Sequence, residues 1–431
     1  MPSLIRLSCL LTLLALTALP HGSMAASLAA GPMSGGADMR EARLWAQLDG
    51  PGEVAFKYWP AGMPEASVTT APVPARPEEH YAVTAVARDV EPGTLYAYEV
   101  LIDGQPAEVG HPLRFRTAPH YRDRRPPPDF TAVAATGNYI NDEPYDPPFR
   151  TPGGGYGIYD TLLAQEPSLM FWLGNAVHLR EADWGSRSGI FRRYGHSRAE
   201  PQLQPLLGGL NHLGLWGDRE YGPPGAGHLL WNRGDMSAAF RAFWPNPSHG
   251  AAGIDAQITK ARWSDAEFYL LDGYTFRDLS ARGEDDRVIL SRAQIDWLLH
   301  DLEQSRATFK VVMLGMPVLN PVNDARYLAG APAERDYLLD ALMRRQIGGV
   351  VFITGGVAYG QTTRIPRPNA PDIVAINLGP LTARPSEDID RRNFFAEPGT
   401  THSVRNFARL DFARPEDDRR LTVTLLDPEG G

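Results

Sequence analysis

Cysteine is almost missing from this sequence: Cys9 stands alone among 431 residues. A single cysteine excludes a disulfide framework and a Cys-rich zinc site, and it argues against a thiol nucleophile. There is no long basic run either. Forty-two Lys and Arg against 51 Asp and Glu leave a net charge of −9. A nucleic-acid partner is therefore not expected, because counterion displacement needs clustered cations. No apolar stretch reaches the roughly 20 residues that a membrane-spanning helix needs. The longest, Leu7–Leu19, is of the length of a signal h-region. No internal repeat and no low-complexity tract occurs. No Gly-x-Ser-x-Gly elbow is present, and Ser186, Ser188 and Ser197 lie in polar loop context, so a serine hydrolase triad is not supported.

What is present describes a folded chain. Hydrophobic residues make up 43% and charged residues 22%, well away from the composition of disorder. The first 25 residues are predicted to be a signal peptide. One positive charge precedes the apolar run, and Ser23-Met24-Ala25 supplies small residues where signal peptidase cuts. Cys9 would leave with it, and the mature chain, without a transmembrane segment, would reach the periplasm or the outside.

From about Arg40 to Thr117, within a unit expected at residues 33–118, the pattern has period two. Ala42, Leu44, Ala46 and Leu48 alternate with outward residues, as do Val54, Phe56 and Tyr58, and later Tyr96, Tyr98, Val100 and Ile102. Turn signals such as Asp49-Gly50-Pro51-Gly52 and Glu91-Pro92-Gly93-Thr94 separate them. This predicts a small β-sandwich. Val90–Tyr98 resembles the strand entry of fibronectin type III modules, where a Tyr packs at the sheet corner. Residues 119–129, with Arg124-Arg125-Pro126-Pro127-Pro128, are expected to form a stiff extended linker.

Over residues 130–431 the period changes. Apolar strands are predicted at Phe130–Thr136, Leu169–Leu173, His212–Trp216, Phe268–Leu271, Lys310–Leu314, Val350–Thr354 and Ile373–Leu378. A helix is predicted at Tyr156–Gln165, and amphipathic helices carry Ile295, Leu298, Leu299 and Leu302, and Leu338, Leu339 and Leu342. Alternating strands and helices give an α/β domain, with antiparallel additions near Leu410–Phe412 and Leu421–Leu426. In such sheets ligands gather at the C-terminal strand ends. The segments there are Thr136-Gly137-Asn138, Gly174-Asn175-Ala176-Val177-His178, Gly217-Asp218-Arg219-Glu220 and Gly355-Gly356-Val357-Ala358.

These strand ends, with Phe171-Trp172-Leu173-Gly174, Leu179–Trp184, Arg193-Tyr194 and Phe268–Asp272 around them, resemble the PhoD-type alkaline phosphatases of the calcineurin-like metallophosphatase superfamily. The resemblance implies an αββα sandwich, preceded here by the fibronectin-like β-sandwich, whose loops hold two or more metal ions that activate a nucleophile and clamp a phosphate ester. The ligand positions depart from the family pattern. Ala135-Thr136-Gly137 stands for a Gly-Ser-Cys-like loop, Asn175 for the Asp of Gly-Asp, and His178 for a Tyr. Gly217-Asp218-Arg219-Glu220 stands for Asp-Asp-His-Asp, and Gly356-Val357-Ala358 for Asp-Arg-His. A neutral amide cannot bridge two cations as a carboxylate does, and Gly217, Gly356 and Ala358 offer no side-chain ligand.

The expected product is a catalytically inactive, exported pseudophosphatase with no cofactor, binding an envelope protein or a phosphate-containing small molecule. The rival is an active phosphomonoesterase or phosphodiesterase with a divalent metal, calcium or iron as in the resembled family, on a site rebuilt from Asn175, His178, Asp218 and Glu220. Asp218 and Glu220 are also open to simple neutralisation by Arg219 or nearby arginines, and Arg219 to replacing the lost metal charge that holds the loops together. Arg180, Arg193 and Arg198 are candidates for an anion pocket. Restoring the family residues at 175, 217, 219, 356 and 358 would return metal binding if the scaffold is intact. Tyr156, Trp184, Tyr194 and Trp231 are expected to pack, His196 and His212 to be structural, and Gly153-Gly154-Gly155 to be a loop rather than a phosphate cradle.

Overall fold

The computed structural model describes residues 26–368 and 370–431. The predicted signal peptide, Met1–Ala25, lies outside the described residues. The chain is built on two large sheets laid face to face. Eight strands form the first, in the order Arg420–Leu426, Phe407–Ala413, Phe130–Ala135, Leu169–Leu173, Asn211–Leu215, Leu28–Ala37, Glu41–Leu48 and Ala82–Arg88. The second runs Thr259–Trp263, Ala266–Leu270, Phe309–Leu314, Val350–Thr354, Ile373–Asn377 and Gln361–Ile365. The central strands are parallel, and the antiparallel ones are additions at the margins.

Alternation on these strands separates two layers of core. Ala132, Ala134, Phe171, Leu173, Leu213 and Leu215 meet Phe268, Leu270, Val311, Met313 and Ile353 between the sheets. The opposite faces, with Met170, Trp172, Tyr269, Val312 and Leu314, are covered by helices. On one side these include Arg187–Arg198 and Arg233–Phe243, and on the other Arg292–Gln304 and Pro332–Arg344. Burial on both faces explains why the parallel strands are continuous apolar runs. The arrangement is the expected αββα sandwich.

The N-terminal β-sandwich is present, but it shares a sheet with the rest of the molecule. Its first layer is Glu41–Leu48 and Ala82–Arg88, which extend the eight-stranded sheet through Leu28–Ala37. That strand is parallel to Asn211–Leu215, with Ser34 opposite Asn211. Its second layer is centred on Gly52–Pro60 and Leu95–Ile102. Ala42, Leu44, Ala46, Val83 and Ala85 fill the core against Phe56, Tyr58, Tyr98 and Phe115. Tyr96 closes the corner as expected, its hydroxyl accepting from the Glu91 N–H at 2.8 Å.

One sequence expectation is corrected here. Residues outward in the period-two reading are not all exposed: Trp45 is 0% exposed. Its indole N–H donates to the Ala242 carbonyl at 2.7 Å, and its ring lies 5.5 Å from that of Phe243. The segment expected as a stiff extended linker has no helix or strand and is anchored at both ends. The Ala118 N–H donates to the Asp38 carbonyl. Pro128 accepts from Ser264 and Arg419, and Arg419 also pairs with Asp129 and Asp265. Among the described residues no helix is long and apolar enough to cross a membrane.

Candidate functional site

The four loops singled out in the sequence converge at the C-terminal ends of the parallel strands. They line one cleft of about 410 Å³, whose wall includes Thr136, Gly137, Asn175, His178, Asp218, Arg219, Gly356 and Ala358. A larger cleft, of about 750 Å³, lies at the opposite strand ends between the β-sandwich and the proline-rich segment, away from these loops.

Asn175 is the hub. Gly174 and Asn175 both take the left-handed conformation, φ +81° and +55°, which Asn tolerates better than most side chains. That turn aims the amide at the third loop. Nδ2 donates to Asp218 Oδ1 at 2.8 Å, and Oδ1 accepts from the Arg219 backbone N–H at 3.0 Å. Glu220 completes the tie from beneath. It is 0% exposed, and its Oε2 accepts from the N–H groups of Asn175 at 2.8 Å and Gly217 at 2.9 Å. Burial pushes the Glu220 carboxyl up to about 8, against the opposing pull of those amide bonds and of Arg198. The first loop joins through Thr136, whose hydroxyl bonds the Leu173 and Gly174 carbonyls at 3.1 and 3.0 Å.

The residues present do not fit the metal centre that the fold implies. Both polar atoms of the Asn175 amide are engaged, and Glu220 faces backbone amides instead of the cleft. His178 packs edge-on to Tyr139 at 4.8 Å. Burial, then Arg219 and Arg193, depress its imidazole to about 3, and its buried Nε2 has no partner. Among the described residues no three His, Cys, Asp or Glu side chains are grouped to hold a metal ion. The backbone itself closes the space. A Cβ at Gly217 would overlap Asn175 Oδ1 and stand 2.7 Å from the Asn175 N atom. At Gly356, with φ +92°, it would overlap the Gly315 carbonyl oxygen and stand 2.9 Å from Met316 Cα. The rebuilt mononuclear site of Asn175, His178, Asp218 and Glu220 is therefore not assembled.

The Arg219 side chain does not tie the loops together. It is 46% exposed, 3.6 Å from Asp218, and it is the Arg219 backbone that the loops hold. Neutralisation by arginine applies to Asp218 but not to Glu220, which has no ion pair within 4 Å among the described residues. The expected anion pocket of Arg180, Arg193 and Arg198 is also corrected. Arg180 is consumed by Asp142 at 2.9 Å, Asp146 at 3.1 Å and Asp183 at 3.0 Å. Arg193 and Arg198 are 0% exposed. Arg193 donates to the His178 and Ile140 carbonyls, while Arg198 lies 4.0 Å over Trp244. These three arginines are instead partners of buried acids, carbonyls and rings.

The cations that line the cleft, besides Arg219 and the acid-paired Arg180, are Arg150 and Arg384. Sequence reasoning passed over both. Arg384 could have been found by reading beyond the strand Ile373–Asn377 as was done for the other four. Arg150, in a proline-rich loop, carries no local signal. Tyr139 lines the cleft and donates its hydroxyl to Asp146 at 2.6 Å. His212 and His196 are structural, bonded to Trp172 and Leu206, and to Asn141. Tyr194 is buried as expected, whereas Trp231 is 79% exposed. Gly154 is held by the Thr382 carbonyl, and Gly154 and Gly155 pack on the Arg405 guanidinium, so the glycine run is a packed loop.

Comparison with known proteins agrees with this geometry. Residues 233–416 match the model of the PhoD-like phosphatase family, and residues 25–118 match a domain of unknown function, DUF7800. No curated protein matches the chain in sequence. A solved structure of PhoD is similar at a TM-score of 0.73 and 16% identity, over 96% of this chain and 92% of that one. The purple acid phosphatase PPD1 from yellow lupin (Lupinus luteus) seeds is similar at 0.65 and 12% identity, over 92% of this chain and 74% of that one. At these identities the structures speak for the fold. The chain thus has a metallophosphatase fold, and over residues 233–416 it matches the PhoD-like phosphatase family.

Proposed function

We propose that this PhoD-like protein is exported to the periplasm or beyond, hydrolyses no phosphate ester there, and acts by binding a ligand or an envelope partner. The observation that carries the reading is the tie of Asn175, Asp218 and Glu220. Side chains that would have to face metal instead bond each other and the backbone, and the chain's own atoms fill the ligand positions at 217 and 356. Without a cation to lower the pKa of a water or to neutralise a phosphoryl group, the two main contributions of this fold to hydrolysis are missing. Export is supported by the residue pattern of Met1–Ala25. A nucleic-acid partner is not proposed, given the net charge of −9.

The test is metal content and turnover of purified residues 26–431 after dialysis against mixed divalent and ferric ions. Well below one metal per chain, with no hydrolysis of a generic aryl phosphate above a buffer blank, is the expected result. Turnover well above the blank that is abolished by Asp218→Ala would overturn the reading.

A further inference from the structure

We propose that the strand-end cleft binds, without metal, a small organic molecule bearing a phosphate or carboxylate group on an apolar body, held by Arg150, Arg219 and Arg384. The inference rests on the metal-free reading above and names the kind of ligand that the dismantled site takes.

Charge is the first argument. Besides Arg180, which three carboxylates already neutralise, the cleft is lined by three guanidinium groups and one carboxylate, Asp218. Among the described residues neither Arg150 nor Arg384 has an acid within 4 Å, and Arg219 has only Asp218 at 3.6 Å. Arginines with structural roles in this region are paired or bonded: Arg180 and Arg192 share Asp142, and Arg193 is spent on carbonyls. Three cations around one concavity repel one another, and a bound oxyanion relieves that repulsion. Guanidinium offers paired N–H donors that match phosphate or carboxylate oxygens.

The walls supply the second argument. Leu179, Val357, Pro380, Pro152 and the ring of Tyr139 line the same space. Phe149, beside Arg150 in the chain, is 99% exposed. A volume of about 410 Å³ is larger than a bare inorganic anion requires and lies in the range of small-molecule sites.

The experiment is titration calorimetry of residues 26–431 in excess chelator with phenyl phosphate, phenylacetate and phenol, repeated on the triple variant R150Q/R219Q/R384Q. At least one of the two acids is expected to bind and phenol not to bind, with affinity reduced about tenfold or more in the triple variant. The acid that binds tighter identifies the oxyanion. All three substitutions lie on the cleft wall, and an unchanged melting temperature shows the variant folded. Absence of binding by both acids at millimolar concentration would overturn the inference, as would equal binding by the triple variant or binding that needs added metal. The first two results leave the non-hydrolytic reading standing, because that reading fails only on turnover.

Discussion

Glu220 is the residue on which the rearranged loops depend. It is wholly buried and serves two backbone donors from different loops with one oxygen. Glu220→Ala leaves the N–H groups of Asn175 and Gly217 without an acceptor. At about 1–3 kcal/mol for a buried unsatisfied donor, the expected loss of stability is about 2–4 kcal/mol, measured by urea unfolding. Its titration gives a second readout. The folded-state value near 8 lies above the ordinary 4.5. The folded chain thus keeps a proton that the unfolded chain releases, and stability falls as pH rises from 4.5 to about 8. Glu220→Gln cannot ionise and should remove that component of the slope. A wild-type profile that rises over this window relative to Glu220→Gln would contradict the buried placement. At this scale the sequence was informative about residue type: Asn175, Gly217, Gly356 and Ala358 supply no carboxylate, imidazole or thiolate. It was silent about where Glu220 turns, since a carboxylate facing a cleft and one facing backbone amides are spelled alike.

Among elements, the third and fourth loops leave little room for added side-chain ligands. A side chain at 217 collides with the Asn175 amide, and at 356 it needs a left-handed backbone and the space of the Gly315 carbonyl. The fivefold reversion Asn175→Asp, Gly217→Asp, Arg219→His, Gly356→Asp and Ala358→His is therefore expected to lower the melting temperature and to hold less than one metal per chain by elemental mass spectrometry. Two metals per chain would show that the loops reopen once the ligands return. Strands of the main domain were legible because burial on both faces makes them uninterrupted apolar runs. Leu169–Leu173 and Val350–Thr354 are found where they were read. The helix expected at Tyr156–Gln165 shrinks to Ile158–Leu163. Leu28–Ala37 was invisible, because its Gly-Pro-rich sequence has no alternation. Its glycines serve close approach instead: a Cβ at Gly35 would overlap the Pro245 carbonyl oxygen and lie 2.7 Å from Pro245 Cβ.

For the whole molecule, the shared eight-stranded sheet makes the β-sandwich and the αββα body mechanically one object. Leu28–Ala37 bridges them in the sheet, and Trp45 bridges them through the helix Arg233–Phe243. Calorimetry of residues 26–431 is expected to show one unfolding transition. Trp45→Ala should lower the stability of the whole by about 3–5 kcal/mol and leave that transition single. Two resolved transitions in the wild type would mean that the units fold separately. The period-two reading located the sandwich but drew it as a module on a stiff linker, since alternation reports one buried face and cannot report a second neighbour across the sheet.

The sequence by itself determined the α/β character of the body and most of its strands, which follow from hydrophobic period, a local property; the layer order came from the resemblance of its strand ends. Only the tertiary structure decided that one sheet serves both units, that Arg193 and Arg198 belong to the core, and that Arg150 and Arg384 reach the cleft beside Arg219. Each of these depends on which distant segment lies opposite: 28–37 against 211–215, 140 and 178 against 193, 150 and 384 against 219. A charge becomes a binding group or a structural one according to whether its neighbours in space already neutralise it. Those neighbours are set by the packing of segments from about fifteen to nearly two hundred residues apart.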